Sequence, residues 1–261
     1  MTSSVNFDRA IEYYDQTRGF PPGVDQHIPQ LFTAAGNLTP RSRVLEIGVG
    51  TGRIAVPVAP HIGQYFGIDI STGMMGKLRA KLTAERVNLI QGDATYLPFA
   101  SKTFDAVIAV HIFHLIPTWR AALKEVARVL KPGAMLLHGW NGRTRDNILN
   151  DVWESETQTS HEAPGAVGIT EQGTFLYEEG WRERGAQQTY EFSVSHSANS
   201  FLSMIEGRKW SRCWRMPDDV IERGAAAVRA YIDANFPDPD APFMVESHFH
   251  VQAYLPPRIQ S

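Results

Sequence analysis

A chain of 261 residues suits one large domain, or one with a modest addition, and its 43% apolar and 20% charged residues exclude intrinsic disorder. Lys and Arg total 25 against 28 Asp and Glu, a formal net charge of -3, so nothing in the overall balance draws the chain to nucleic acid or to an anionic membrane. One cysteine, Cys213, excludes an intramolecular disulfide and a multi-cysteine zinc site. The polar opening MTSSVNFDRA lacks the apolar run of a secretion signal, and no apolar stretch reaches the roughly 18 residues a bilayer requires, which predicts a cytoplasmic protein.

Phe7, Ile11 and Tyr14 recur at helical spacing over 7–17 until Gly19-Phe20-Pro21-Pro22-Gly23 breaks the pattern, which predicts an N-terminal lid helix. From 43 to 140, short apolar runs alternate with helical patterns, the mark of βαβ units and a parallel sheet. The expected strands are 43–49, 64–70, 87–93, 104–111 and 134–140. The clearest helix precedes the fifth strand, with Trp119, Ala122, Leu123, Val126, Ala127 and Leu130 as its apolar stripe and Lys131-Pro132-Gly133 as its stop. After Trp140 the character changes. Residues 141–185 hold nine acids, four arginines and no lysine, and read as an insertion with helical pieces. QTYEFSVSH (188–196) alternates like a strand, a helical stretch from Ser197 runs into the basic-aromatic RKWSRCWR, Pro217-Asp218-Asp219 opens another helix, and FMVESHFHVQAYL (243–255) is the last strand.

Glu46-Ile-Gly48-Val-Gly50-Thr-Gly52-Arg53 follows the first apolar run and leads into a helical start. Such a turn offers backbone N–H groups and a positive helix end to a ligand. A dinucleotide fingerprint would place its third glycine where Arg53 stands, and a phosphate-binding P-loop would need a Gly-Lys pair that is absent. Glu46 would repel a pyrophosphate and attract a ligand carrying an ammonium and a sulfonium, which points to S-adenosylmethionine (SAM). Later strand ends carry matching groups. Asp69 stands where an acid accepts from ribose hydroxyls, Asp93 where it could accept from the adenine amino group, and His111 beside the methionine portion.

VLEIGVGTGR, FGIDIS with Met74, QGDATYLPF, FDAVIAVHIFHLIP and ALKEVARVLKPG together make the chain resemble the class I SAM-dependent methyltransferases, in the group that includes the ubiquinone/menaquinone-biosynthesis enzymes. The resemblance covers 43–140. It implies a Rossmann-like, doubly wound α/β fold whose seven-stranded sheet is mostly parallel with an antiparallel last strand, together with a lid helix and helical insertions. It further implies that Tyr14 and Arg18 close over the cofactor, with Arg18 near its carboxylate, and that Ile70 and Met74 line an adenine slot. The cofactor set expected is Tyr14, Arg18, Glu46, Gly48, Gly50, Gly52, Asp69, Ile70, Met74, Asp93, Ala94 and His111. One domain would then span 1–261, with a lid at 1–40, a cofactor-binding core at 43–140, acceptor-side elements at 141–236 and the last strand at 243–255.

The expected reaction is methyl transfer from SAM, leaving S-adenosylhomocysteine (SAH), to a small-molecule acceptor by in-line displacement, in which alignment contributes most. His111 and His114 are the candidate bases, should the acceptor need one. Their HxxH spacing lacks a third ligand cluster, so no metal is expected. Arg208, Lys209, Arg212 and Arg215 interleave with Trp210 and Trp214, which reads as an amphipathic surface helix before it reads as a nucleic-acid contact. A non-catalytic SAM-binding module is the alternative, and an NAD(P)-dependent dehydrogenase a more remote one.

Overall fold

The computed structural model describes residues 7–83, 87–143, 148–158 and 173–257. In chain order the helices are α1 (Tyr14–Arg18), α2 (Ile28–Gly36), α3 (Ala55–Val58), α4 (Thr72–Lys81), α5 (Trp119–Val129), α6 (Ile148–Thr157), α7 (Thr174–Glu178), α8 (Ala198–Glu206) and α9 (Asp218–Asn235). The strands are β1 (Arg43–Ile47), β2 (Gln64–Asp69), β3 (Val87–Gln91), β4 (Phe104–Val110), β5 (Leu130–Arg143), β6 (Arg182–His196) and β7 (Phe243–Leu255). They form one seven-stranded sheet of order β3-β2-β1-β4-β5-β7-β6, parallel from β3 to β5 and antiparallel across β5-β7-β6. The chain divides into two compact units, one of 1–141, 163–190 and 249–261, the other of 142–162 and 191–248.

In the first unit, β1 pairs in parallel with β2 on one side and β4 on the other, so the winding reverses direction beside β1. The carboxyl ends of strands flanking such a reversal bound a crevice that helices cannot fill. Every β1 residue after Arg43 is buried, as a strand covered on both faces requires. The α5 stripe forms as its periodicity predicts: Trp119, Ala122, Leu123, Val126 and Val129 are buried in a core shared with Leu45, Ile47, Phe104, Val107 and Leu136.

Three local expectations change. Lys131-Pro132-Gly133 does stop α5, but it lies inside β5 rather than ahead of it. Phe104 pairs with Leu130 and Ala106 with Met135, so residues 131–134 bulge opposite Asp105 alone. Lys131 Nζ fixes the bulge by an ion pair to Asp105 Oδ1 at 2.7 Å, while Asp105 Oδ2 accepts the Arg43 N–H at 2.8 Å. The N-terminal helix is two short pieces, a 3-10 turn at Asp8–Ala10 and then α1, because three apolar residues in eleven give too little stripe to sustain a longer helix. Finally, β6 begins at Arg182, ahead of the alternating 188–196 run.

The second unit has its own core, in which α6, α8 and α9 bury Trp153, Leu202, Ile205, Val228 and Ile232. Gly224 lets α9 approach α6: a Cβ there would meet the Trp153 ring at 2.5 Å. RKWSRCWR is not a surface helix. A 3-10 turn, Ser211–Arg215, brings the Arg212 guanidinium onto Glu154 at 3.1 Å and Asn150 at 2.8 Å, and Arg208 pairs with Asp218. Two of the segment's cations are thus committed to internal partners. Among the described residues no helix is long and apolar enough to cross a membrane.

Candidate functional site

The site grows from the turn after β1. Gly48, Gly50 and Gly52 have φ of +70°, +53° and +85°, a run of left-handed conformations that side chains other than glycine rarely adopt. The N–H groups of Gly48 and Val49 both donate to the Ile68 carbonyl, at 2.8 and 3.1 Å, tying the turn to β2. At the end of β2, Asp69 Oδ2 accepts the Gly50 N–H and Oδ1 the Ser71 N–H, each at 2.8 Å. Burial pushes the Asp69 carboxyl up, and the N–H groups of Ser71 and Gly50 oppose that shift. Ser71 caps α4 by accepting the Met74 N–H at 3.0 Å.

These strand ends surround a narrow cavity that opens to solvent. Tyr14, Gly48, Gly50, Asp69, Ile70 and Met74 line it, and Asp93, Ala94 and His111 complete the expected residues found there. Asp93 also opens a turn, its Oδ1 accepting the Thr95 N–H and hydroxyl, both at 2.8 Å. Phe7, Ile112, Leu115 and Ile116 add apolar wall. The last three were legible as the apolar positions of HIFHLIP, but their strand-end location gave no separate sequence signal.

Arg18, Glu46 and Gly52 do not line the cavity. Glu46 is 3% exposed and accepts the Tyr65 hydroxyl at 2.8 Å. Burial raises its pKa to about 8, so it is protonated at neutral pH and offers a cation no charge there. A Cβ on Gly52 would meet Leu78 Cδ1 at 2.2 Å, which makes this glycine a packing requirement of the turn against α4.

The N-terminal segment lies across the turn and α4. Asp8 accepts from the Ser71 hydroxyl, Lys77 Nζ pairs with Glu12 at 3.0 Å, and Asp15 accepts the Thr51 hydroxyl at 2.6 Å and pairs with Lys81 at 2.7 Å. This places Tyr14 over the cavity.

Beyond β4 the groups are basic. His111 has φ +50°, a strained conformation for a residue that is not glycine, and its ring sits against Asn141, with Nε2 3.0 Å from Oδ1 and 3.2 Å from the backbone nitrogen. Arg53 donates to the same Oδ1 at 2.8 Å, and its guanidinium covers the Phe20 ring at 3.9 Å. Burial, then the Arg53 charge, hold His111 well below the usual histidine range; burial and the Arg18 charge bring His114 down to about 4. Both imidazoles are therefore neutral and weakly basic at neutral pH. Arg53 and Asn141 escaped the sequence reading, in which Arg53 served only to break a fingerprint. Among the described residues no three His, Cys, Asp or Glu side chains gather as a metal site.

Residues 45–138 match the family described as a methyltransferase domain. The chain is 31% identical over 156 residues to a demethylmenaquinone methyltransferase of Lactiplantibacillus plantarum, covering 57% of this chain and 66% of the relative. It is 39% identical over 108 residues to a fatty-acid O-methyltransferase of Mycolicibacterium smegmatis, covering 41% and 39%. The chain thus spans less than two thirds of the length of these curated relatives. Among solved structures, the YcgJ protein of Bacillus subtilis superposes with a TM-score of 0.57 at 20% identity, over 89% of this chain and 99% of the other. A Haemonchus contortus phosphoethanolamine N-methyltransferase, solved with SAH, gives 0.53 at 19%, over 96% and 58%. At these identities the structures share the fold.

Proposed function

We propose that the protein, whose residues 45–138 match a family described as a methyltransferase domain, carries the methyl group of SAM to a small-molecule acceptor and leaves SAH. The observation that carries this reading is the convergence of four successive strand ends on one cavity, with Asp69 clamped between the Gly50 and Ser71 N–H groups at its centre. Each Asp69 oxygen accepts one N–H and retains a lone pair for a hydroxyl donor, which suits a ribose diol. Asp93 has Oδ2 for the adenine amino group, and Ile70 and Met74 supply the flat apolar slot. The open side of Gly50, where a Cβ would find nothing nearer than 3.9 Å, leaves room for close approach of the ligand. Arg18 stands outside the cavity lining and its charge acts on Tyr14 and His111 at the wall, so the cofactor's carboxylate is assigned to it across that wall, with Tyr14 as the cover.

When bound, SAM supplies a methyl carbon on a good leaving group. The acceptor's lone pair forms the new bond to that carbon as the carbon–sulfur pair returns to sulfur, so the chain's contribution is to hold the two in line and exclude water. The apolar wall of Ile112, Leu115 and Ile116 and the lid segment serve the exclusion. Burial lowers the pKa of both His111 and His114, which weakens them as bases; His111 lines the cavity wall and His114 stands outside the lining.

Titration calorimetry with SAH tests the reading. Wild type binds, and Asp69→Ala binds about 10- to 100-fold more weakly, the worth of hydrogen bonds to a charged acceptor. Equal affinities for the two proteins would overturn the assignment.

A further inference from the structure

Two arginines stand outside the cavity lining, Arg18 and Arg53; both act on the His111 of its wall, and Arg53 shares the Asn141 Oδ1 with that imidazole. Among the described residues neither Arg18 nor Arg53 forms an ion pair. Asp15, on the same helix as Arg18, is engaged by Lys81 and Thr51, and Asp69 by the Gly50 and Ser71 N–H groups. The groups that feel both arginines are Tyr14 and His111; His114 feels Arg18. None of these supplies a negative charge at neutral pH, since the Tyr14 hydroxyl is pushed up by burial and both imidazoles are held neutral.

Arg53 is the more exceptional of the pair. One Nη donates to the neutral Asn141 Oδ1 at 2.8 Å, the plane rests on Phe20, and Nε is buried with no acceptor. Burial pulls its pKa down to about 10, with Tyr14 opposing the shift and the Arg18 charge adding to it. On the reading given above, the cofactor does not cure this. It brings one carboxylate, which Arg18 answers, together with an ammonium and a sulfonium, so its arrival adds positive charge. The missing anion has to come with the other substrate.

We propose that the methyl acceptor carries a carboxylate, and that this carboxylate seats on the Arg53 guanidinium beside Asn141 and His111. The proposal deepens the methyltransferase reading and rests on it. Where the carboxylate oxygen is itself the nucleophile, this also accounts for a site whose histidines are poor bases, because an acid already ionised in solution forms its bond to the methyl carbon with no proton to surrender. The planar guanidinium, rather than an ammonium, fits a bidentate oxyanion whose alternative is an orphaned N–H.

Calorimetry on the protein saturated with SAH tests this, using acetate, benzoate and decanoate, each against its uncharged amide. At least one acid binds wild type roughly tenfold or more tightly than its amide, as a charge-assisted pair in a partly dry site requires. Arg53→Gln removes that preference and leaves the amide unchanged, with SAH affinity altered less than about threefold; Arg53→Lys keeps part of the preference. Retained SAH affinity and the amide baseline show that the variant is folded. The proposal is overturned if no acid outbinds its amide, if the preference survives Arg53→Gln, or if that variant loses SAH binding while wild type shows no acid preference, which would assign both arginines to the cofactor. A wild type that takes up no SAH contradicts the proposed function instead, and acid against amide on the unloaded protein then decides the anion site separately.

Discussion

Glu46 and Asp69 are both acids at strand ends, twenty or so residues apart in the chain, and their surroundings give them opposite tasks. Burial raises the Asp69 pKa, and the Ser71 and Gly50 N–H groups that face its carboxylate oppose the rise. Glu46 has only the Tyr65 hydroxyl and is pushed from 4.5 to about 8 by burial. Since the folded-state value lies above the unfolded one, the folded protein holds the extra proton between about pH 4.5 and 8. Its contribution to stability is complete below that window and lost as pH rises through it. Glu46→Gln, which never ionises, therefore flattens the pH dependence and leaves the variant more stable than wild type at pH 8.5 by on the order of 3 kcal/mol, read from urea unfolding at pH 5 and 8.5. A variant whose midpoint tracks wild type at both values contradicts this. The same pair marks where sequence reading stops at the residue scale. Strand alternation and spacing place both acids at the site's edge, but which one faces the cavity depends on Tyr65, a residue distant in sequence whose hydroxyl carries no motif.

Elements were most legible where a long periodic stripe met a buried partner, as in α5, and least where a local signal competed with pairing. Lys131-Pro132-Gly133 has the chemistry of a turn and still lies within β5, because Asp105 neutralises Lys131 at the bulge and Gly133 takes its φ of +80° there. The lid shortened for the converse reason, having too few apolar positions to hold a helix without tertiary support. The glycine turn separates packing from binding. Gly52→Ala forces a Cβ onto Leu78 at a left-handed φ and costs about 2–4 kcal/mol in chemical denaturation. Gly50→Ala meets no such clash, so it costs only about 1–2 kcal/mol in stability but weakens SAH binding tenfold or more by narrowing the approach. Reversal of that order would show the turn to be structural throughout. Asp15→Asn removes the Lys81 ion pair, an exposed contact worth under about 1 kcal/mol, so it leaves the melting temperature nearly unchanged while SAH dissociates several-fold faster in stopped flow.

Across the whole molecule, a net charge of -3 conceals an uneven distribution. Asp69 and Asp93 line the cavity, whereas Arg18 and Arg53 stand outside its lining and act on Tyr14 of α1 and on His111 beyond β4. Motif order made the sheet readable from 43 to 140, because the first four strands each end in a residue with recognisable chemistry. The second unit offered no such marks: Arg212 is spent on Glu154 and Asn150 and Arg208 on Asp218, and its core of Trp153 and its neighbours is generic helix packing. Cofactor capture should register in the stability of the intact chain, with SAH at a hundred times its dissociation constant adding about 2.7 kcal/mol and raising the melting temperature by roughly 5–10 °C. The most direct test of methyl transfer itself is mass spectrometry of a small-molecule extract incubated with the protein and methyl-labelled SAM. The account predicts a labelled small molecule whose formation requires Asp69 and releases an equal amount of SAH. Protein that binds SAH yet leaves every small molecule unlabelled would contradict it.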